Sequence, residues 1–185
     1  MFEYVNYNFM ISHPKEYNLK SIITKKLLDR EIKEICLLKD KEWGFGIKSQ
    51  IKWFRNNVKK YDINNLLYLK SKLVGYTLLR KRTYKLKNSS KKNKYLLFDT
   101  LIIDKKYRRR RLSNLIMNFN NLIIKELGFF SFLICKDEMV KFYIKNEWKK
   151  LNNKKFSIMD YPFSSNGMIF NILKLNKKYI FYINK

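Results

Sequence analysis

Between Tyr95 and Cys135 the hydrophobic period of the chain changes twice, and this stretch restricts the possible architecture more than any other. Residues 95–103 are apolar on both faces except at Asp99 and Thr100, as expected of a strand buried within a sheet. A basic turn, 104–111, follows. Leu112, Leu115, Ile116, Phe119, Leu122 and Ile123 then recur at helical spacing, which predicts a helix over 112–127 with Gly128 just past its end. Residues 130–135 are apolar again and short enough for a second buried strand. A strand, turn, helix and strand in that order demand a right-handed crossover and two parallel strands.

The flanking sequence supplies the rest of a mixed sheet. Residues 2–11 read as a strand that His13-Pro14 breaks, and 21–39 read as a helix with Ile22, Ile23, Leu27, Leu28, Ile32, Ile35, Cys36 and Leu38 at helical spacing. Trp43-Gly44-Phe45-Gly46 is a turn, and a second helix begins at Ser49 with Ile51, Trp53, Phe54 and Val58 as its apolar positions. Residues 65–69 and 73–82 form an antiparallel hairpin across Lys70-Ser71-Lys72, and 87–93 is a polar loop. Asp137 is predicted to cap a short helix, 138–145. Strands over 148–151 and 168–175 close the sheet, and 179–183 is a final strand or edge covering. The order β-αα-ββ-β-α-β-α-β-β is an α/β (α+β) arrangement: a mostly antiparallel sheet, helices on both faces and a central parallel pair. At roughly 100–200 residues per domain, 1–185 is expected to be a single domain.

Lys and Arg number 41 against 15 Asp and Glu, a formal charge of +26. Nucleic-acid binding, a polyanionic substrate, or the Lys- and Asn-rich output of an AT-rich coding sequence would each produce it. The basic residues are scattered, with denser clusters at 80–94 and 105–111, so charge alone assigns no function. Cys36 and Cys135 lie far apart in apolar surroundings and read as buried, reduced thiols. His13 is the sole histidine, and clustered Cys or His ligands are absent, so no metal is expected. No run reaches the ~20 apolar residues of a membrane span, and residues 1–12 lack the basic start of a signal peptide. A cytoplasmic protein is expected, monomer or homodimer.

The stretch Phe98-Asp-Thr-Leu-Ile-Ile-Asp-Lys-Lys-Tyr-Arg-Arg-Arg-Arg-Leu-Ser113 carries the chemistry. A tight turn that opens a helix presents several peptide N–H groups and the positive end of the helix dipole to one point. Arginines around it add charge-assisted contacts to phosphate. The stretch resembles the CoA motif of the GNAT N-acetyltransferases, a strand followed by Arg/Gln-x-x-Gly-x-Gly/Ala at a helix start. Arg108 takes the first position, and Arg111 and Ser113 stand at the two glycine positions. Arg108, Arg111 and Leu112 also match the Arg-Gly-x-Arg-Leu pattern of the branch that includes aminoglycoside 2′-N-acetyltransferases. Downstream, Phe142-Tyr143-Ile-Lys-Asn-Glu-Trp148 resembles the family's Phe-Tyr-x-x-x-Gly-Phe/Trp block, with Glu147 at the glycine position.

The resemblance implies an acyl-CoA-dependent N-acyltransferase, with acetyl-CoA as co-substrate and a primary amine, such as that of an amino sugar, as acceptor. It implies that Leu101, Ile102 and Ile103 run beside the pantetheine arm, with peptide N–H groups polarising the thioester carbonyl. Arg108, Arg109, Arg110, Arg111, Leu112 and Ser113 would surround the diphosphate. Tyr143 would protonate the departing thiolate, and Asp99 would accept the amine proton. Trp43, Phe45 and Trp53 are candidates to line the acceptor site, and a loop containing Asp160-Tyr161-Pro162 and Asn166-Gly167 could close over it. Two alternatives remain open. The acceptor could be aminoacyl-tRNA held by the basic surface, or the chain could be a non-catalytic nucleic-acid-binding module on a degenerate scaffold.

Overall fold

A computed structural model describes residues 4–11, 15–159, 165–172 and 177–184. These form two compact units, Met1–Arg80 with Asp99–Asn120, and Lys81–Phe98 with Asn121–Lys185. Four α-helices and ten strands are present among the described residues. None of the helices is long and apolar enough to cross a membrane.

The first unit contains β1 (Tyr4–Ile11), β2 (Lys15–Ile23), α1 (Asp29–Trp43), α2 (Ile47–Asn57) and β3 (Ile63–Leu69). The opening part of β4 (Lys72–Leu86), the closing part of β5 (Asn93–Ile103) and the start of α3 (Leu112–Glu126) also belong to it. β1, β2, β3 and β4 pair antiparallel in chain order. Ile35, Cys36 and Leu38 of α1 and Phe54 of α2 pack on Ile22, Leu66, Tyr76, Leu78 and Ile102 of the strands. Each such side chain contributes about 1.5–3 kcal/mol by leaving water. Buried amides fix α3 to the sheet here: Asn65 Nδ2 donates to Asn120 Oδ1 at 2.9 Å and to Thr77 Oγ1 at 3.2 Å.

The second unit adds β6 (Ser131–Cys135), α4 (Asp137–Lys145), β7 (Lys149–Leu151), β8 (Phe156–Ile158), β9 (Asn166–Phe170) and β10 (Tyr179–Tyr182). β6 lies parallel to β5 on one side and antiparallel to β9 on the other, and β7 continues beyond β9. β10 pairs antiparallel with Thr83–Leu86 of β4 and parallel with β8. Its core is aromatic: Phe132 stacks on Phe181 with centroids 3.9 Å apart, and Tyr95, Phe156 and Tyr179 complete the cluster.

The mixed, mostly antiparallel sheet with an internal parallel pair is as expected from the sequence. Three local readings are corrected. The helix predicted over 21–39 starts only at Asp29, because Tyr17–Ile23 pairs residue by residue with β3 and runs on into a 3-10 turn, Thr24–Lys26. Ile22 and Ile23 happen to fall in phase with the helix that follows, and inter-strand hydrogen bonding decides their conformation. Asp137 is the first residue of α4 and does not cap it; its carboxylate accepts from Asn166 Nδ2 at 2.7 Å. Asn166-Gly167 opens a buried strand and is no loop. Gly167 is required there because a Cβ would meet the Phe156 ring at 2.6 Å. His13-Pro14 and Asp160-Tyr161-Pro162 lie outside the described residues.

Candidate active site

The first unit holds a cavity of about 460 Å³ lined by Lys39 and Trp43 of α1, Phe45, Ser49, Gln50 and Trp53 of α2 and the turn before it, and Asp99 and Thr100 of β5. The three aromatic residues and the carboxylate singled out in the sequence therefore meet in one place. The α1–α2 turn sets the aromatics. Gly44 ends α1 in the left-handed region at φ 65°, a conformation that costs glycine nothing. The Asp40 carboxylate then accepts the Gly46 N–H at 2.6 Å and folds the turn back against its helix.

Asp99 is ion-paired. Arg80 Nη1 donates to its carboxylate at 2.8 Å, and Arg80 Nη2 donates to the Asn57 carbonyl at 3.3 Å. Lys39 went unnoticed in the sequence. It is 3% exposed, with its ammonium 3.6 Å from the centroid of Trp53 and 5.5 Å from that of Trp43. Burial lowers its pKa from 10.5 to about 8, against the opposing pull of the Asp99 carboxylate. Gln50, also buried, was likewise missed. A signal for Lys39 did exist: it falls on the same helical stripe as Ile32, Ile35, Cys36 and Trp43, where a charge is out of place.

The turn after β5 leads directly into the next helix. Asp104 starts it, accepting the Lys106 N–H at 3.0 Å and the Lys41 ammonium at 3.1 Å. Burial pushes that carboxyl up, and these two donors outweigh it and hold its pKa below the ordinary value. A 3-10 turn, Lys105–Tyr107, follows, and α3 begins at Leu112. Arg109 and Arg111 both adopt left-handed backbone, φ 64° and 57°. The peptide N–H groups of Arg109, Arg110, Arg111, Leu112 and Ser113 have no partner among the described residues, whereas Asn114 and Leu115 already donate to the Arg111 carbonyl. Five successive unpaired donors at a helix start, with exposed guanidinium groups around them, suit a diphosphate. Arg108 is placed differently: its guanidinium donates to the Ile103 carbonyl at 3.1 Å and to the Glu42 carboxylate, so it pins the turn to β5 and α1.

Arg111 thus keeps a glycine-like conformation with an arginine side chain. A left-handed non-glycine residue costs about 1–2 kcal/mol, and glycine returns part of that as unfolded-state entropy. Arg111→Gly is therefore expected to raise stability by about 0.5–1 kcal/mol in thermal melts without ligand. A loss of stability would contradict this account of the turn.

β5 pairs with β6 only at Leu96–Ser131 and Leu97–Phe132. β5 runs on to Ile103 and β6 to Cys135, so the parallel ladder stops after two residue pairs.

In the second unit Tyr143 is 7% exposed on α4, edge-on to Phe98 at 6.2 Å and beside Phe142 and Trp148. Burial pushes its phenol well above the ordinary value, with the nearby Cys135 adding to the rise, so it stays protonated at neutral pH. Its hydroxyl has no hydrogen-bond partner among the described residues. The block around it is fastened: the Trp148 N–H donates to the Tyr143 carbonyl at 3.0 Å, and Trp148 Nε1 donates to Asn121 Oδ1 at 2.9 Å. Glu147, at the glycine position of the Phe142-Tyr143 block, is again left-handed at φ 69°.

No family model matches the sequence, and no curated protein matches it. Solved structures do match. The GNAT family N-acetyltransferase YhbS from Escherichia coli, in complex with CoA, has a TM-score of 0.65 at 12% identity, covering 88% of each chain. An acyl-CoA N-acyltransferase from Pseudomonas aeruginosa has a TM-score of 0.61 at 10% identity, covering 84% of this chain and 99% of that one. The PaiA N-acetyltransferase from Thermoplasma acidophilum, in complex with coenzyme A, has a TM-score of 0.51 at 16% identity, covering 83% and 99%. Together with the interrupted parallel ladder and the arginine turn, these likenesses establish that the chain has the GNAT N-acetyltransferase fold.

Proposed function

We propose that the chain is an acyl-CoA-dependent N-acyltransferase that moves an acetyl group from acetyl-CoA to a primary amine of a small molecule. The observation that carries this reading is the run of five peptide N–H groups from Arg109 to Ser113 that have no partner among the described residues, at the start of the helix that follows strand β5. These donors and the exposed guanidinium groups of Arg109, Arg110 and Arg111 would take the diphosphate. Leu101, Ile102 and Ile103 would run beside the pantetheine arm, with the peptide N–H groups of Leu101 and Ile103 facing the thioester oxygen as charge builds on it. The amine nitrogen attacks the thioester carbon, the new C–N bond forms, and the C–S bond breaks. Asp99 takes the proton lost by nitrogen, directly or through water, and Tyr143 returns a proton to the thiolate. The cavity of Lys39, Trp43, Phe45, Gln50, Trp53 and Asp99 receives the acceptor. In this reading residues 1–185 work as one catalytic domain, in the cytoplasm, with no metal.

The reading is tested by adding acetyl-CoA to the full chain. At about 100 times its dissociation constant it should add about 2.7 kcal/mol of stability, seen as a raised melting temperature, and amines should provoke release of free thiol. A chain whose melting is unmoved by acetyl-CoA, and which releases no thiol with any amine, is not an acyltransferase.

The charge of +26 supports a second acceptor within the same class, the free amine of aminoacyl-tRNA. Acylation of such an acceptor should weaken steeply between ~50 and ~200 mM salt through counterion release, whereas a small acceptor should be nearly indifferent.

A further inference from the structure

Two side chains of the acceptor cavity lack what buried polar groups ordinarily have. The Gln50 side-chain nitrogen is buried and has no hydrogen-bond partner among the described residues. The buried Lys39 ammonium faces the rings of Trp43 and Trp53, and among the described residues it forms no hydrogen bond or ion pair. The two residues sit on the consecutive helices α1 and α2 and line the same space. Both are donors. What they lack is an acceptor, and a carboxylate offers one oxygen to each.

The charge of the cavity points the same way. Asp99 is the carboxylate among its lining residues, and Arg80 already neutralises it. Lys39 is therefore the uncompensated charge, and with a pKa of about 8 it stays largely protonated at neutral pH. A polycationic acceptor such as an aminoglycoside would meet like charge there. The walls are aromatic, and Trp43 and Phe45 remain exposed at 43% and 69%, large apolar surfaces open to a ligand.

We infer that the acyl acceptor is a free α-amino acid with an aromatic or large apolar side chain. Its carboxylate is held by Lys39 and Gln50, and its side chain lies against Trp43, Phe45 and Trp53. This deepens the acyltransferase reading and rests on it. The amine forms the C–N bond to the acyl carbon as the C–S bond breaks. One proton leaves nitrogen, one is taken up by the thiolate, and nothing is oxidised or reduced.

The test compares L-phenylalanine with phenethylamine, which lacks the carboxylate, and with the polyamine spermidine. Each is titrated calorimetrically into the full chain and assayed for thiol release with acetyl-CoA. One charge-assisted carboxylate seat corresponds to about 10–100-fold, so phenylalanine should exceed phenethylamine by at least about tenfold in kcat/KM and in affinity. Lys39→Met should erase that ratio, mainly through KM, and Gln50→Leu should reduce it severalfold. Wild-type protein that uses phenethylamine or spermidine as well as phenylalanine overturns the inference, as does a ratio unchanged in Lys39→Met. If acetyl-CoA raises the melting temperature and thiol appears only with amines that lack a carboxylate, the seat is wrong and the acyltransferase reading survives. If acetyl-CoA neither binds nor is consumed, yet phenylalanine binds wild type and not Lys39→Met, the seat survives and the acyltransferase reading falls.

Discussion

Tyr143→Phe is expected to lower kcat by about 10²–10⁴-fold while leaving the affinity for acetyl-CoA almost unchanged. The substitution removes one oxygen from a ring that is already packed on Phe98, Phe142 and Trp148. Its hydroxyl makes no hydrogen bond within the described residues, so the fold loses nothing with it. Melting temperature should therefore stay put, and the loss should appear in kcat and kcat/KM together, the pattern of a group that acts only in the transition state. Because burial raises the phenol's pKa above its ordinary range, wild-type kcat should show no decline at alkaline pH from ionisation of this residue. A variant with undiminished kcat would remove Tyr143 from the reaction and leave it an ordinary core aromatic.

Lys39→Met is expected to stabilise the chain at pH 7 and to do so less as pH rises. The folded pKa of about 8 lies below the ordinary 10.5. Below pH 8 the lysine is charged in both folded and unfolded chains, and the folded chain bears the full cost of burying that charge. Between about 8 and 10.5 the folded chain gives up the proton first, so wild-type stability climbs with pH across that window. The ceiling on the effect is about 3 kcal/mol, and loss of the contact with Trp53 offsets part of it. A net gain of about 1–2 kcal/mol at pH 7 follows, a rise of a few degrees in melting temperature for a chain of this size. It should vanish near pH 10.5. Thermal melts of both proteins from pH 7 to 10.5 decide it: a variant less stable than wild type at pH 7, with a difference independent of pH, contradicts the account. Burying a lysine at such a cost, in a cavity, is what a binding role would explain.

Much of the candidate site could be read from residue order. The arginine turn and the Phe142-Tyr143…Trp148 block were identifiable because each occupies a short contiguous stretch on a strongly periodic element. Arg111, Ser113 and Glu147 at the three glycine positions disguised the pattern, but the left-handed backbone persists at Arg111 and Glu147. Arg108 was legible as part of the turn. Its engagement with Ile103 and Glu42 was not, since Glu42 lies on α1, far away in sequence. Lys39 and Gln50 were overlooked because a polar residue on an amphipathic helix is ordinarily assumed to face water.

By itself, the sequence determined the strand–turn–helix–strand unit over 95–135, the parallel pair it enforces, and the concentration of donors at the start of α3, because hydrogen bonding and hydrophobic period act there over neighbouring residues. Only the tertiary structure decided that Tyr17–Ile23 is a strand, that the β5–β6 ladder stops after two pairs, and that Lys39, Gln50, Trp53 and Asp99 line one cavity. Those outcomes depend on partners tens of residues away, whose hydrogen bonds and desolvation outweigh local preference and leave no trace in local spacing.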